Sequence, residues 1–443
     1  MKTILSLGAG RSSSVLIAYL LREAAANNWK IIVGDISVEA ARERVGASHH
    51  GEAIRFDVND EHTSKKTIAQ ADVVISLMPA HFHPIVATYC LALNKHLLTA
   101  SYVSDEMKAL DYEARQKGLL LLNECGLDPG IDHMSAMQVI DRIKQQGGKL
   151  ISFESFTGGL IAPETDPENP WRYKFTWNPR NVVMAGQGTA KYIQQGEYKY
   201  IPYQQLFTRI TPVHVAGYGD YEGYANRDSL KYIDTYQLEG IQTMLRGTLR
   251  NKGFCSAWNI LVQLGCCDDT YKMEGVAAMT HRSFINAFVE AETNVSLEQR
   301  LVKHFSIQLD GPEITRLRWS GLFDDEPVGL NNGTPAQILE YILNKKWKLN
   351  EGDNDFIVMW HRFIYELKGK HHEIQASLIA RGEDATHTAM AKTVGLPLGI
   401  AAKLLLQNKI TSRGVAIPVS PEFYIPILDE LKTLGVELTE VEK

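Results

Sequence analysis

The N-terminal residues 3–24 constrain the fold more than any other stretch of the chain. The apolar run TILSL ends at the turn GAGRSS, and VLIAYLLREA follows with its apolar residues at helical spacing. Gly8 permits a tight turn, and Gly10 lets backbone approach a pyrophosphate. The hydroxyls of Ser12 and Ser13 can bond phosphate oxygens at the helix N-terminus. The stretch predicts a dinucleotide-binding turn, and its alternative is a bare strand-to-helix turn.

Strand-like and helix-like segments alternate through roughly the first 125 residues. The apolar runs are KIIVGD, AIRFDVND, ADVVISLMP, HLLTASYVS and GLLLLNECG, with helical patterns at VEAARERVG, HTSKKTIAQ and PIVATYCLALN. This alternation is typical of a parallel, doubly wound sheet. We predict an α/β protein with a dinucleotide-binding Rossmann domain over residues 1–126.

The pattern changes after residue 126. KLISFESFTGG, TMLRGTLR and DFIVMWHRFIYELKGKHHEIQASLIARGE alternate as strands do, and the last predicts two long antiparallel strands joined at KGKHH. We predict a second α/β domain with a mixed or antiparallel sheet over residues 127–389, with a helical insertion at about 254–350. The segment at about 390–443 should pack back on the first domain, with one helix starting at the Gly-Leu-Pro of GLPLGIAAKLLLQNKI.

Composition argues against several classes of protein. The 443 residues are 44% hydrophobic and 22% charged, with a net charge of −6 and no Lys/Arg-rich block, so we expect neither nucleic acid nor a membrane as partner. The N-terminus lacks the apolar core of a signal peptide, and no apolar stretch reaches the roughly 20 residues of a membrane span. We therefore expect a cytoplasmic location. The cysteines are odd in number and form no CxxC, which disfavours a disulfide framework or a zinc site; they are Cys90, Cys125, Cys255, Cys266 and Cys267.

Asp35 closes the second predicted strand. A carboxylate there accepts the ribose 2′-hydroxyl and repels a 2′-phosphate, so it favours NAD over NADP. Arg42 or Arg44 could still neutralise a phosphate. By position alone, Asp35 could instead cap the helix that follows.

Three later strand ends, ISLMPAHFHP, TASYVS and NECGLDPGIDH, should meet at the carboxyl edge of the sheet, where open α/β sheets bind ligands. We expect the histidines to be loop residues at a ligand rim or on the surface, and no metal, because no tetrahedral ligand set accompanies them. The histidine pairs are His49 and His50, His81 and His83, and His371 and His372.

Arginines in two later segments suggest an acidic substrate. Arg246, Thr248 and Arg250 alternate in MLRGTLR, so on a strand they share one face, and Arg227 lies in YANRDS. Arginine forks bind carboxylates bidentately, which favours a substrate with several carboxylates. The alternative is solvated arginines or internal salt bridges.

These motifs resemble one known family. GAGRSSS, DVND, VISLMPAHFHP, TASYVS, NECGLDPGIDHMSAM, GGLIAPE, WRYKFTW, NRDS and RGTLR occur in the order and approximate spacing of glutamate-forming saccharopine dehydrogenases, also called saccharopine reductases. The resemblance covers nearly the whole chain. It implies reversible oxidation of saccharopine by NAD or NADP, with water hydrolysing the imine to L-glutamate and L-2-aminoadipate 6-semialdehyde, in lysine metabolism. It also implies a substrate-binding and dimerisation domain, a helical domain and a homodimer.

The resemblance also implies site residues. Implied cofactor contacts are Gly10, Ser12, Ser13, Asp35, Asp57, Val58, Met78, Ala100, Ser101, Leu127, Asp128 and Pro129. Implied substrate contacts are Ser101, Tyr102, Asp128, Arg227, Arg246, Gly247 and Thr248. Imine formation and hydrolysis need a proton shuttle. Tyr102 and Asp128 are the candidates, with His133 as a third, and Tyr102 could equally be only a hydrogen-bonding wall. The chain departs from relatives at Thr157, where they often have cysteine, and after Asp35, where NADP users tend to have arginine.

NECGLDPGIDHM should be a turn at the end of a strand, shaped by Pro129 and Gly130. Asp132 is expected to cap the next helix, while Glu124 and Cys125 support the strand end. Two other functions compete with the main one. A polyamine-forming reductase such as carboxynorspermidine synthase would want acidic residues for a cationic amine. A non-catalytic nucleotide-binding protein would bind NADH without turnover.

Overall fold

The computed structural model describes all 443 residues, which form two compact units. The first unit comprises residues 1–150, 366–371 and 378–441, and the second comprises 151–365, 372–377 and 442–443. The first unit therefore extends past residue 126, where we placed the domain boundary.

The elements follow one another along the chain in this order. The first half contains β1 (Thr3–Leu7), α1 (Ser14–Asn27), β2 (Lys30–Asp35), α2 (Val38–Val45), β3 (Gly51–Arg55), α3 (Glu61–Ile68), β4 (Val73–Ser76), α4 (His83–Ala92), β5 (His96–Thr99), α5 (Asp105–Ala109), α6 (Asp111–Gln116), β6 (Leu120–Leu122), α7 (Ile131–Gln145), β7 (Lys149–Ile161), α8 (Pro179–Val183), β8 (Ala190–Gln194), β9 (Glu197–Ile201), β10 (Thr211–Val215) and β11 (Gly219–Ala225). The second half contains α9 (Tyr232–Thr235), β12 (Thr243–Asn251), α10 (Phe254–Leu264), α11 (His281–Asn286), α12 (Leu297–Phe305), α13 (Pro312–Trp319), α14 (Pro335–Trp347), β13 (Asp355–Leu367), β14 (Lys370–Arg381), α15 (Ala389–Leu406), β15 (Gly414–Ala416), α16 (Pro421–Thr433) and β16 (Leu438–Glu442).

The first unit is built on a seven-stranded sheet in the order β15-β6-β5-β4-β1-β2-β3. Every neighbouring pair in it is parallel. β1 and β4 are buried along their whole length, because both faces of a parallel sheet are covered by helices. The order β3-β2-β1-β4-β5-β6 is that of a Rossmann fold, so the predicted fold class is confirmed. Its ligand crevice lies where the order reverses, beside β1 and β4.

The C-terminal segment completes this unit, because β15 pairs with β6 and α15 packs against α1. Two glycines permit the close helix contact: a Cβ on Gly395 would lie 2.8 Å from Leu16 Cβ, and one on Gly399 would lie 2.6 Å from a ring carbon of Tyr19. By length and composition alone, α15 could cross a membrane. In this structure, however, 83% of it is buried inside the protein.

The predicted start of α15 is wrong. The helix begins at Ala389, and the Thr388 hydroxyl caps it by accepting a hydrogen bond from the Ala391 amide at 3.0 Å. Pro397, which we took as part of the helix start, lies inside the helix. Packing of this buried helix outweighs the hydrogen bond that the proline cannot donate.

The second sheet has nine strands in the order β10-β11-β12-β7-β13-β14-β16, with β8 paired to β12 and β9 to β8. β12 is parallel to β7 and antiparallel to β11, so the predicted mixed sheet is confirmed. β13 and β14 are the two long strands expected around KGKHH, joined by a tight turn at Lys368 and Gly369.

The predicted helical insertion is also present, as α10 to α14 between β12 and β13. Its interior is aromatic, and fully buried Trp171, Trp258 and Trp347 contact one another and Phe254.

Candidate active site

The turn after β1 requires glycine at its first position. Gly8 has φ +101°, and its amide donates to the Gly34 carbonyl at 2.8 Å. A Cβ there would lie 3.2 Å from the carbonyl group of Leu77. Both the backbone angle and the neighbouring chain therefore exclude a larger residue.

Space remains open above the second glycine. A Cβ on Gly10 would meet no atom within 4 Å, and Gly10 precedes a short 3₁₀ helix, residues 11–13, that leads into α1. Ser12 is half-buried. Ser13 is buried, and its hydroxyl donates to the Gly10 carbonyl at 2.7 Å, so this hydroxyl already helps to shape the turn. Exposed backbone at a helix start with free space above it fits a dinucleotide phosphate.

Asp35 is tied to the glycine turn. One carboxylate oxygen accepts the Ala9 amide at 2.7 Å, and the other accepts the Ser37 amide at 2.9 Å. Ser37, and not Asp35, caps α2 by accepting from the Ala40 amide. Asp35 thus holds the glycine turn after β1 and the loop after β2 together.

The other residues expected at the cofactor lie at or just after the carboxyl ends of strands. Asp57 and Val58 follow β3, Met78 follows β4, Ala100 and Ser101 follow β5, and Leu127 and Pro129 follow β6. Val58, Leu127 and Pro129 are buried, whereas Asp57, Met78, Ala100 and Ser101 are half-buried. The half-buried members are the ones that present surface to a ligand.

His83 joins the ends of two neighbouring strands, and we did not foresee this role. Its Nδ1 lies 3.0 Å from Ser76 Oγ, and its Nε2 lies 3.1 Å from Thr99 Oγ1 and 2.9 Å from Ser101 Oγ. We expected a loop histidine at a ligand rim or on the surface, but His83 is the first residue of α4 and is only 3% exposed. Its sequence signal was its place before Pro84 at a helix start, in the segment that follows β4.

The buried His83 should make stability depend on pH. Burial lowers the pKa of its imidazole to about 4, and nearby His81 adds to the shift. The unfolded chain binds this proton at about pH 6.5 and the folded chain only near pH 4. The contribution of neutral His83 to the free energy of unfolding is therefore fully present above pH 6.5 and is lost as the pH falls toward 4. Between about pH 7.5 and pH 5 we expect His83 to account for a loss of about 2 kcal/mol in the free energy of unfolding.

Urea unfolding at several pH values measures this effect. His83→Asn should flatten the pH dependence relative to the native chain, whereas His62→Asn, at an exposed position, should not. An unchanged slope in His83→Asn would contradict the assignment.

Tyr102 and Asp128 are neighbours at this edge. The Tyr102 hydroxyl lies 3.5 Å from Asp128 Oδ1, a long hydrogen bond that has to shorten before a proton can pass between the two groups. Tyr102 is 45% exposed and Asp128 half-buried, so both are open to a substrate. The structure thus brings the two predicted shuttle residues together.

The loop after β6 departs from expectation at Asp132. Gly130, with φ +146°, is the residue at the start of α7, and Asp132 Oδ1 accepts its amide at 2.6 Å. Asp132 therefore does not occupy the capping position that we predicted; it lies in the first helical turn. A Cβ on Gly130 would fall 2.1 Å from the Gly126 carbonyl oxygen, which explains the glycine. His133 is buried within hydrogen-bonding distance of Glu124.

In the second unit, β12 carries three of the predicted substrate residues, Arg246, Gly247 and Thr248. Arg246 is 3% exposed, and its guanidinium carbon lies 4.2 Å from the centre of the Tyr232 ring. Thr248 donates to Asn226 Oδ1 at 2.8 Å, which places Arg227 beside this strand. Arg227 itself is exposed.

Two small residues shape the neighbourhood of β12. A Cβ on Gly247 would lie 2.4 Å from the Phe156 ring, so a side chain cannot fit there. Thr157 pairs with Thr248 in register, and its hydroxyl is buried without a hydrogen-bond partner.

Arg250 shares the face of Arg246, but it is buried among aromatic rings. Its guanidinium carbon lies 5.0 Å from the ring centre of Tyr173 and 5.2 Å from that of Phe254. Such cation–π contacts stabilise a buried cation. Arg250 therefore packs inside the unit.

One group of possible metal ligands lies in the helical insertion, at His281, Asp324 and Glu326. Lys345 Nζ lies 3.1 Å from His281 Nε2 and 2.7 Å from Glu326 Oε1. A cationic lysine already contacts the atoms that a metal would need, so this group gives no support for a metal centre.

Comparison with known proteins identifies the family. The family model described as saccharopine dehydrogenase NADP binding domain matches residues 4–122, and that described as saccharopine dehydrogenase C-terminal domain matches residues 126–436. Saccharopine dehydrogenase (NADP+, L-glutamate-forming) of Schizosaccharomyces pombe is 34% identical over 99% of both chains. Mitochondrial alpha-aminoadipic semialdehyde synthase of Bos taurus is 34% identical over 99% of this chain and 47% of its own. The apo structure of saccharopine dehydrogenase (L-Glu forming) from Saccharomyces cerevisiae matches with a TM-score of 0.89 and 31% identity over 100% of both chains. The chain therefore belongs to the saccharopine dehydrogenase family of the L-glutamate-forming type.

Proposed function

We propose that this chain catalyses the reversible oxidation of saccharopine, with hydrolysis of the resulting imine to L-glutamate and L-2-aminoadipate 6-semialdehyde. The observation that carries the proposal is the Tyr102–Asp128 pair at the carboxyl edge of a dinucleotide-binding sheet. The bound nicotinamide supplies the hydride chemistry. The open space above Gly10, in the turn that begins at Gly8, supports binding of the cofactor's phosphates there.

Arg246 and Arg227 are the proposed anchors for the substrate carboxylates. Saccharopine has three carboxylates, and a buried guanidinium such as that of Arg246 binds one strongly because little water competes. A cationic polyamine substrate would instead be repelled, which disfavours the polyamine-forming alternative.

Tyr102 and Asp128 are the proposed proton shuttle. In the hydrolytic direction, a base takes a proton from the water that attacks the imine carbon, and an acid protonates the departing amine of glutamate. Shortening of their 3.5 Å separation in the substrate complex would let the two side chains pass one proton between them. Their exposure leaves them accessible to substrate and water.

An assay of the reverse reaction tests the function. Glutamate and the semialdehyde supplied together should cause oxidation of NADPH, followed as loss of its absorbance, and neither should do so alone. No turnover with this pair, together with turnover of a diamine and an aldehyde, would overturn the proposal. NADPH binding without any turnover would favour the non-catalytic alternative. The cytoplasmic location and the homodimer stay predictions.

For the cofactor, we propose NADP(H), which the relatives' names support, with Asp35 setting how far it is preferred over NAD(H). The relatives' names therefore favour NADP(H) over the NAD that we expected from Asp35. Replacing the carboxylate in Asp35→Asn should raise the ratio of kcat/KM with NADPH to that with NADH by about 5-fold or more, because it removes repulsion of the 2′-phosphate. Equal losses with both cofactors would mean that Asp35 acts only on the turn.

A further inference from the structure

Glu124, at the end of β6, has an unusual backbone conformation. Its φ is +54°, in the left-handed region that non-glycine residues rarely adopt. Such a conformation persists only where the surroundings enforce it, and it occurs often at functional sites. Glycine or asparagine would suit this backbone better, so the glutamate side chain needs its own explanation.

The contacts of Glu124 lie on both sides of Tyr102. Its amide donates to the Ser101 carbonyl at 3.0 Å, and its Oε1 accepts from the Val103 amide at 3.1 Å. Tyr102 lies between these two residues. Its backbone is therefore fixed from either side by one residue.

The other carboxylate oxygen connects to the loop that carries Asp128. Glu124 Oε2 lies 2.9 Å from His133 Nε2, and His133 Nδ1 lies 3.7 Å from Asp132 Oδ2. Asp132 Oδ1 accepts from the Gly130 amide, two residues after Asp128. Glu124, Asp132 and His133 are each at most 3% exposed. Buried polar side chains, with one longer contact of 3.7 Å among them, thus connect the Tyr102 segment to the Asp128 loop.

We propose that the Glu124–His133 pair is a positioning unit that sets the separation of the Tyr102 hydroxyl and the Asp128 carboxylate. It rests on the proposed function for its role in turnover, but not for its role in placing Tyr102. Neither residue needs to touch substrate, because Glu124 acts through the backbone on either side of Tyr102. A displacement of about 1 Å at such a pair can cost about 100-fold in rate.

Three variants separate positioning from simple stability. Glu124→Gln keeps the shape, since its amide oxygen can accept from Val103 and its NH₂ can donate to His133 Nε2 once the imidazole carries its proton on Nδ1. Glu124→Gly removes the side chain and also relieves the positive φ, so its backbone is not strained. Lys368→Gly relieves a similar φ of +53° in an exposed hairpin turn and serves as the backbone control.

The first measurement is ¹⁹F NMR of protein labelled with 3-fluorotyrosine, with the Tyr102 signal assigned by its loss in Tyr102→Phe. The native chain, Glu124→Gln and Lys368→Gly should show the same Tyr102 signal, whereas Glu124→Gly should shift or broaden it. An unchanged Tyr102 signal in folded Glu124→Gly would overturn the proposal. This outcome does not depend on whether saccharopine is the substrate.

The second measurement is steady-state kinetics with NADPH, glutamate and the semialdehyde. Glu124→Gly should lower kcat by roughly 10- to 100-fold and alter the pH profile, with the KM for NADPH within about twofold of the native value. Glu124→Gln should stay within about fivefold in kcat. A normal kcat in Glu124→Gly would overturn the role in turnover. Absence of turnover in the native chain would instead overturn the proposed function and leave the NMR result to decide the positioning.

Discussion

Replacing Arg246 with alanine is expected to lower kcat/KM for saccharopine between roughly 30-fold and 4000-fold. Truncating one member of a buried charge pair costs about 2–5 kcal/mol, mostly because the remaining charge loses its partner. Here the remaining charge would be a substrate carboxylate. Arg246 is 3% exposed, so water cannot readily replace the guanidinium.

The control for this variant separates substrate from cofactor binding. NADPH affinity, measured by its fluorescence, should stay within about twofold of the native value, since Arg246 lies in the second unit, outside the Rossmann sheet. Arg209→Ala, at an exposed arginine of the same unit, should leave both quantities unchanged. Equal losses in substrate and cofactor binding would remove Arg246 from the proposed substrate site.

Asp128→Asn is expected to lower kcat by about 100-fold or more. General acid–base groups contribute roughly 10²- to 10⁴-fold, and an amide cannot take up the proton that the carboxylate accepts. The variant should also lose one limb of the pH profile of kcat/KM, because the group that produces this limb is gone.

A double-mutant cycle with Tyr102→Phe tests whether the pair acts as a unit. If the two groups share one proton, the double variant should be hardly slower than the slower single variant. Multiplicative losses would mean that Tyr102 and Asp128 act independently. Full activity in Tyr102→Phe would leave the tyrosine as a hydrogen-bonding wall only.

Local patterns in the sequence predicted the features that depend on local physics. The apolar runs at β1, β2 and β4 are buried strands because both faces of a parallel sheet are covered. The glycine turn was predictable because Gly8 adopts a φ that other residues avoid. The proximity of Tyr102 and Asp128 could be predicted from the sequence, because the carboxyl ends of neighbouring parallel strands lie at the same edge of the sheet.

Tertiary contacts decided the features that the sequence did not reveal. His83 is hidden in an ordinary HFH stretch, and only folding brings Ser76, Thr99 and Ser101 around its ring. The positive φ of Glu124 could not be predicted, because the residue is neither glycine nor asparagine, the types that usually adopt it. The start of α15 was predicted wrongly because a proline is common at the first position of a helix, and Pro397 was taken for one. In the structure, close packing against α1 stabilises α15 on both sides of Pro397.

The pairing of β15 with β6 determines when the first unit can finish folding during synthesis. Residues 414–416 form the outer strand of a sheet that also contains residues 3–7, so the nucleotide-binding unit closes only after residues 414–416 have left the ribosome. Until then the β6 edge and the α1 face that receives α15 stay exposed, and exposed edges of this kind favour association with other chains. A nascent chain stalled within the helical insertion would therefore be a target for chaperones, even though all the residues of its phosphate-binding turn are already made.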